Sequence, residues 1–86
     1  MKLDRNVNKD GLGKYALINL RTNKIEWGRA GEEDEFFVIK LKDVNAHAAL
    51  RAYAKAARVF DSEFADEIDA LAERSGVRSP FAKVPD

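Results

Sequence analysis

Apolar and polar positions change their period once along this chain. Between residues 15 and 42 they alternate; between 44 and 75 they recur every third or fourth residue. In Tyr15-Ala16-Leu17-Ile18-Asn19-Leu20-Arg21 the alternation puts Ala16, Ile18 and Leu20 on one face of a strand and Tyr15 and Leu17 on the other. Thr22-Asn23-Lys24 reads as a polar turn, because Asn tolerates the left-handed backbone region. Ile25-Glu26-Trp27-Gly28 then returns as the second strand of a hairpin, with Trp27 placed to pair across the strands with an aliphatic residue. A third strand is expected in Glu35–Lys42. Phe37, Ile39 and Leu41 would share one face, and Phe36 and Val38 the other, together with Lys40 and Lys42.

The second half reads as two helices. Ala46, Ala49, Leu50, Tyr53, Ala57 and Phe60 follow helical spacing and predict a helix over 44–59, capped by Asp43. Its apolar side is mostly alanine, and His47, Arg51, Lys55 and Arg58 line the opposite stripe. That stripe is expected to face the acidic second helix or water. Asp61-Ser62 ends one helix and caps the next. The second helix, over 62–75, would bury Phe64, Ile68 and Leu71, with Gly76 at its C-cap. Together these elements predict an α+β fold of order β-β-β-α-α, a three-stranded antiparallel sheet covered on one face by a helical hairpin. Residues 1–86 then form a single domain, with a polar arm at 1–13 and an extended tail at 77–86 that carries Phe81. The expected core is Ile18, Leu20, Phe37, Ile39, Leu41, Leu50, Tyr53, Phe64, Ile68 and Leu71.

Size makes that core thin, since 86 residues bury only about 60–65% of their unfolded surface. A homodimer or larger symmetric assembly is therefore expected, through the apolar patch of Trp27, Phe36 and Val38. The charge is zero overall but unevenly placed. Residues 1–30 carry seven basic and three acidic side chains, residues 31–69 five and ten, and residues 70–86 three and two. A basic sheet and acidic helices balancing one another account for this, and so does a polarised surface that docks a charged partner. There is no cysteine, which excludes disulfides, thiolate catalysis and Cys-based metal sites. No apolar run is longer than the four residues of Phe36–Ile39, far too short to cross a membrane. Met1-Lys2-Leu3-Asp4-Arg5 lacks the apolar stretch of a signal peptide, so a cytoplasmic address is expected.

Recognisable chemistry is scarce. Gly13-Lys14 resembles the end of a phosphate-binding loop, but Asn8 and Tyr15 stand where that motif needs Gly and Ser or Thr. Asn6-x-Asn8-x-Asp10-Gly11 resembles a calcium loop, but it opens on Asn, and Leu17 stands where the closing carboxylate belongs. His47, the single histidine, has no nucleophile in a recognisable constellation with it. Paired with the carboxylates of 32–35 it would be the sole enzymatic candidate, so no enzyme and no cofactor are expected.

Two binding surfaces are expected instead. Glu32, Glu33, Asp34 and Glu35 form a charged connector that suits a basic protein partner, with Trp27 and Phe36 as apolar anchors. Alternatively, Lys14, Arg21, Lys24, Lys40 and Lys42, with Lys2, Arg5 and Lys9 nearby, would track a nucleic-acid backbone while Trp27 stacks a base. A pI of about 6.6 weighs against the second surface, because nucleic-acid modules are usually strongly basic.

Several stretches carry a resemblance. Gly13-Lys14-Tyr15-Ala16-Leu17-Ile18-Asn19-Leu20-Arg21, Glu35-Phe36-Phe37-Val38-Ile39-Lys40-Leu41-Lys42-Asp43, Ala49-Leu50-Arg51-Ala52-Tyr53-Ala54 and Leu71-Ala72-Glu73-Arg74-Ser75-Gly76 look like their counterparts in a family of small, functionally uncharacterised proteins of tailed bacteriophages and prophages. Ser79-Pro80, Lys83 and Pro85-Asp86 continue the likeness. This chain departs from that group at Thr22-Asn23-Lys24, where many members carry a longer helix-like insert, and at Ala82, where several carry Cys. The resemblance implies a phage-type accessory protein acting in a bacterial cytoplasm. Its motifs are structural and bring no active site.

Overall fold

The computed structural model describes residues 11–84, so the expectations for residues 1–10, Pro85 and Asp86 lie outside it. The chain divides into two compact units, Met1–Val38 and Ile39–Asp86. The fold is α+β, built from β1 (Leu17–Asn19), β2 (Lys24–Glu26), α1 (Ala46–Ala57), α2 (Ser62–Ala72) and a closing 3-10 turn, Gly76–Arg78. No helix among the described residues is long and apolar enough to cross a membrane.

In the first unit, β1 and β2 pair antiparallel with Leu17 opposite Glu26, Ile18 opposite Ile25 and Asn19 opposite Lys24. Asn19 builds the loop between them. Its side-chain oxygen accepts from the N–H groups of Arg21 and Thr22, and its carbonyl accepts from Asn23. Asn23 sits at φ +60°, the left-handed conformation expected of this turn. The returning strand ends at Glu26, so Trp27 falls beyond the paired register and lies with its ring centroid 6.0 Å from the Arg29 guanidinium instead.

The expected third strand does not form. Among the described residues the sheet has two strands, β1 and β2, and Phe37 and Ile39 are 63% and 40% exposed. Two competing sets of hydrogen bonds account for this. Upstream, the chain is taken up in turns: Glu32 N–H donates to the Arg29 carbonyl, Glu35 N–H to the Glu32 carbonyl, and Gly31 N–H to the Glu35 carboxylate. Downstream, the backbone that was to extend the sheet bonds to the tail. Gly76 N–H donates to the Leu41 carbonyl, Lys83 N–H to the Lys42 carbonyl, and Val44 N–H to the Lys83 carbonyl. Asp43 and Lys83 thereby form a parallel bridge.

The second unit contains the expected helical hairpin with tighter bounds. Asp61 caps α2, its carboxylate accepting from Phe64 N–H at 3.0 Å. Asp43 does not cap α1. That position falls to Asn45, and the Asp43 carboxylate accepts from Asn45 N–H one step earlier. Gly76 has the left-handed φ expected of it, +59°, but α2 ends at Ala72 and the Gly76 N–H goes to Leu41.

Alanine rather than the large residues fills the interior. The fully buried apolar side chains among the described residues are Ala46 and Ala54 of α1 and Ala65 and Ala72 of α2. Leu20 is 90% exposed; Ile18, Leu41, Tyr53 and Phe64 are exposed as well, and Leu50, Ile68 and Leu71 are half-buried. Tyr53 and Phe64 meet edge to face with centroids 6.2 Å apart. The tail is not extended throughout. It turns at 76–78 and again before Ala82, whose N–H donates to the Ser79 carbonyl, and Phe81 projects outward rather than onto the core.

Candidate functional site

The acidic connector is the best-formed candidate. Its turns arrange Glu32, Glu33 and Asp34 around a shallow, open depression that Glu26, the last residue of β2, also lines. Sequence reasoning placed Glu26 only as a strand residue. Its signal was its position between Ile25 and Trp27, on the polar side of a strand that runs into the acidic connector. Glu35 does not line the depression; one of its carboxylate oxygens, Oε1, accepts from Gly31 N–H at 3.0 Å. Gly31 sits at φ +82°, where glycine costs nothing and any other residue is strained.

Of the two expected apolar anchors, Trp27 remains a surface residue at 44% exposure. Phe36 is half-buried, and its ring covers Gly28 so closely that a Cβ there would overlap it. Gly28 itself is buried at φ +61°. Phe36 therefore holds the connector against the hairpin exit. Within the Trp27/Phe36/Val38 patch, Phe36 is thus the half-buried member and the other two are exposed.

The basic set expected for nucleic-acid binding is divided between the two units. Arg21 lies in the loop after β1, Lys24 opens β2, and the Lys14 ammonium rests 5.7 Å from the Tyr15 ring centroid. Lys40 and Lys42, expected on the third strand, belong to the second unit, where the Lys42 carbonyl accepts from Lys83 N–H.

His47 Nδ1 lies 2.7 Å from the Ala72 carbonyl, so the imidazole ties the start of α1 to the end of α2. The rest of the basic stripe largely does the same. Arg51 bonds Asp69 at 2.9 Å, and Arg58 bonds Asp66 at 2.8 Å and Asp69 at 2.9 Å. The Asp66 hydrogen bond, with Asp69 behind it, holds the Arg58 guanidinium above its ordinary range. These contacts realise the expectation that the stripe faces the acidic helix. No group of three or more His, Cys, Asp or Glu side chains among the described residues is arranged to hold a metal ion.

No protein-family model, no curated protein and no solved structure matches this chain.

Proposed function

We propose that the chain is a small, non-enzymatic accessory protein of phage type that binds a basic surface of a host or phage protein in the bacterial cytoplasm. One observation carries this reading: two turns and a strand end gather Glu26, Glu32, Glu33 and Asp34 around a single open depression. Four carboxylates on one face attract lysine- and arginine-rich surfaces, speed encounter and repel acidic ones. An open, shallow geometry suits a protein surface better than an enclosed small molecule.

Affinity capture from a bacterial lysate supplies a partner, and charge reversal then decides. Reversing Glu32, Glu33 and Asp34 together to Lys is expected to weaken the partner about tenfold or more, mainly through a slower on-rate. Adding Glu26→Lys weakens it further. Glu67→Lys on α2, an exposed site in the other unit, is the control for net charge and leaves affinity unchanged. Equal loss from the control and the triple variant, or no loss from either, overturns the acidic face as the binding surface.

A further inference from the structure

The stretch Glu35-Phe36-Phe37-Val38-Ile39-Lys40 has a sequence rich in strand formers and sits in no sheet. Among the described residues, Phe36, Phe37, Val38 and Ile39 make no backbone hydrogen bond. Phe37, Val38 and Ile39 are exposed. A solvent-facing run of aromatic and β-branched residues with unbonded backbone is a template for another strand.

The order of its residues says which strand. An acid stands at one end, a base at the other, and four apolar residues lie between them. Laid antiparallel against itself about a two-fold axis between Phe37 and Val38, each Glu35 falls opposite Lys40 of the second copy. Phe36 falls opposite Ile39 and Phe37 opposite Val38. Every cross-strand pair is then complementary, charge with opposite charge and apolar with apolar. Two steps further out, beyond Asp34 opposite Leu41, Glu33 meets Lys42 in the same register. A parallel pairing would instead set Glu35 against Glu35 and Lys40 against Lys40. We propose that residues 35–40 are a self-association strand, pairing antiparallel with the same residues of a second copy of this chain. The interface is isologous and closes at two copies. The charges at its two ends set the register and guard the apolar run against open-ended stacking.

Light scattering from micromolar to millimolar concentration reads the result on the intact chain. The mass is expected to rise from 9.7 kDa towards twice that value and stop there. Glu35→Lys and Lys40→Glu each turn both end pairs into like-charge pairs, and each raises the dissociation constant about tenfold. Mixed together, the two variants present opposite signs to each other and form a heterodimer as tight as the wild-type dimer. Val38→Pro, which removes a backbone donor at the axis, abolishes pairing. Circular dichroism confirms that each variant keeps its helices. A mass fixed near 9.7 kDa overturns the proposal, as does growth without limit, a single variant that dimerises like wild type, or a mixture that fails to recover. The proposal stands apart from the acidic-face reading: Lys40→Glu leaves Glu26, Glu32, Glu33 and Asp34 untouched, and reversing Glu32 and Asp34 alone changes the acidic face while both the Glu35–Lys40 and Glu33–Lys42 pairs stay intact.

Discussion

Gly76 has no room for a side chain. Its φ of +59° disfavours any side chain, and a Cβ there would lie 2.7 Å from the His47 nitrogen, 2.8 Å from the His47 Cβ and 3.1 Å from the Val44 carbonyl oxygen. Two of those neighbours are backbone at the start of α1 and cannot swing aside. Gly76→Ala is therefore expected to destabilise the second unit by about 2–3 kcal/mol, lowering the urea midpoint followed by circular dichroism. Gly28→Ala makes the matching test of the first unit. The new methyl displaces the Phe36 ring and strains a φ of +61°. A loss of about 2 kcal/mol is expected, read through the fluorescence of Trp27 next door. If Gly28→Ala left that signal unchanged, Phe36 would not be seated where the structure puts it.

At the scale of elements, α2 depends on its cap. Asp61 supplies the one side-chain bond to its first turn, so Asp61→Ala is expected to cost about 1 kcal/mol and Asp61→Asn far less, measured by thermal unfolding. This helix was readable because all its signals are local: a capping acid, an apolar i, i+4, i+7 row and a glycine beyond the end. The hairpin turn was readable for the same reason, since Asn23 carries its backbone preference with it. The third strand was not. Periodicity states that Phe37, Ile39 and Leu41 share a face, but not which backbone will bond to theirs. Here the choice is made by Gly76 and Lys83, more than thirty residues downstream of Leu41. The core was misread for a related reason. The hairpin brings α1 and α2 together over alanines, and the large residues flank that contact instead of filling it. The acidic face was legible as composition; its fourth member, Glu26, was not, because strand register decides which side it joins.

For the whole molecule, opposite charges in equal number set the solution behaviour. A net charge of zero and a pI near 6.6 predict a solubility minimum between pH 6 and 7 that moderate salt relieves, checked by turbidity across a pH series. The same balance predicts no measurable binding of single-stranded DNA or RNA in a low-salt anisotropy titration, where phosphate contacts are strongest. Micromolar binding that falls steeply with added salt would make the basic set of Lys14, Arg21, Lys24, Lys40 and Lys42 the working surface. The ionic contacts of α1 with α2 are solvent-exposed, so salt is expected to change the melting temperature little.

The backbone bridge between Asp43 and Lys83 also dictates an order of events. Lys83 follows Val44 by 39 residues, and closing a loop of that length costs about 3 kcal/mol of chain entropy. α1 and α2 need only each other and a four-residue connection, so they can dock before that longer loop closes. The bonds of Lys83 to Lys42 and Val44 then form last. Until they do, the carbonyls of Leu41 and Lys42 lack the donors of Gly76 and Lys83, and the partly folded chain carries an open end beside the apolar run 36–39.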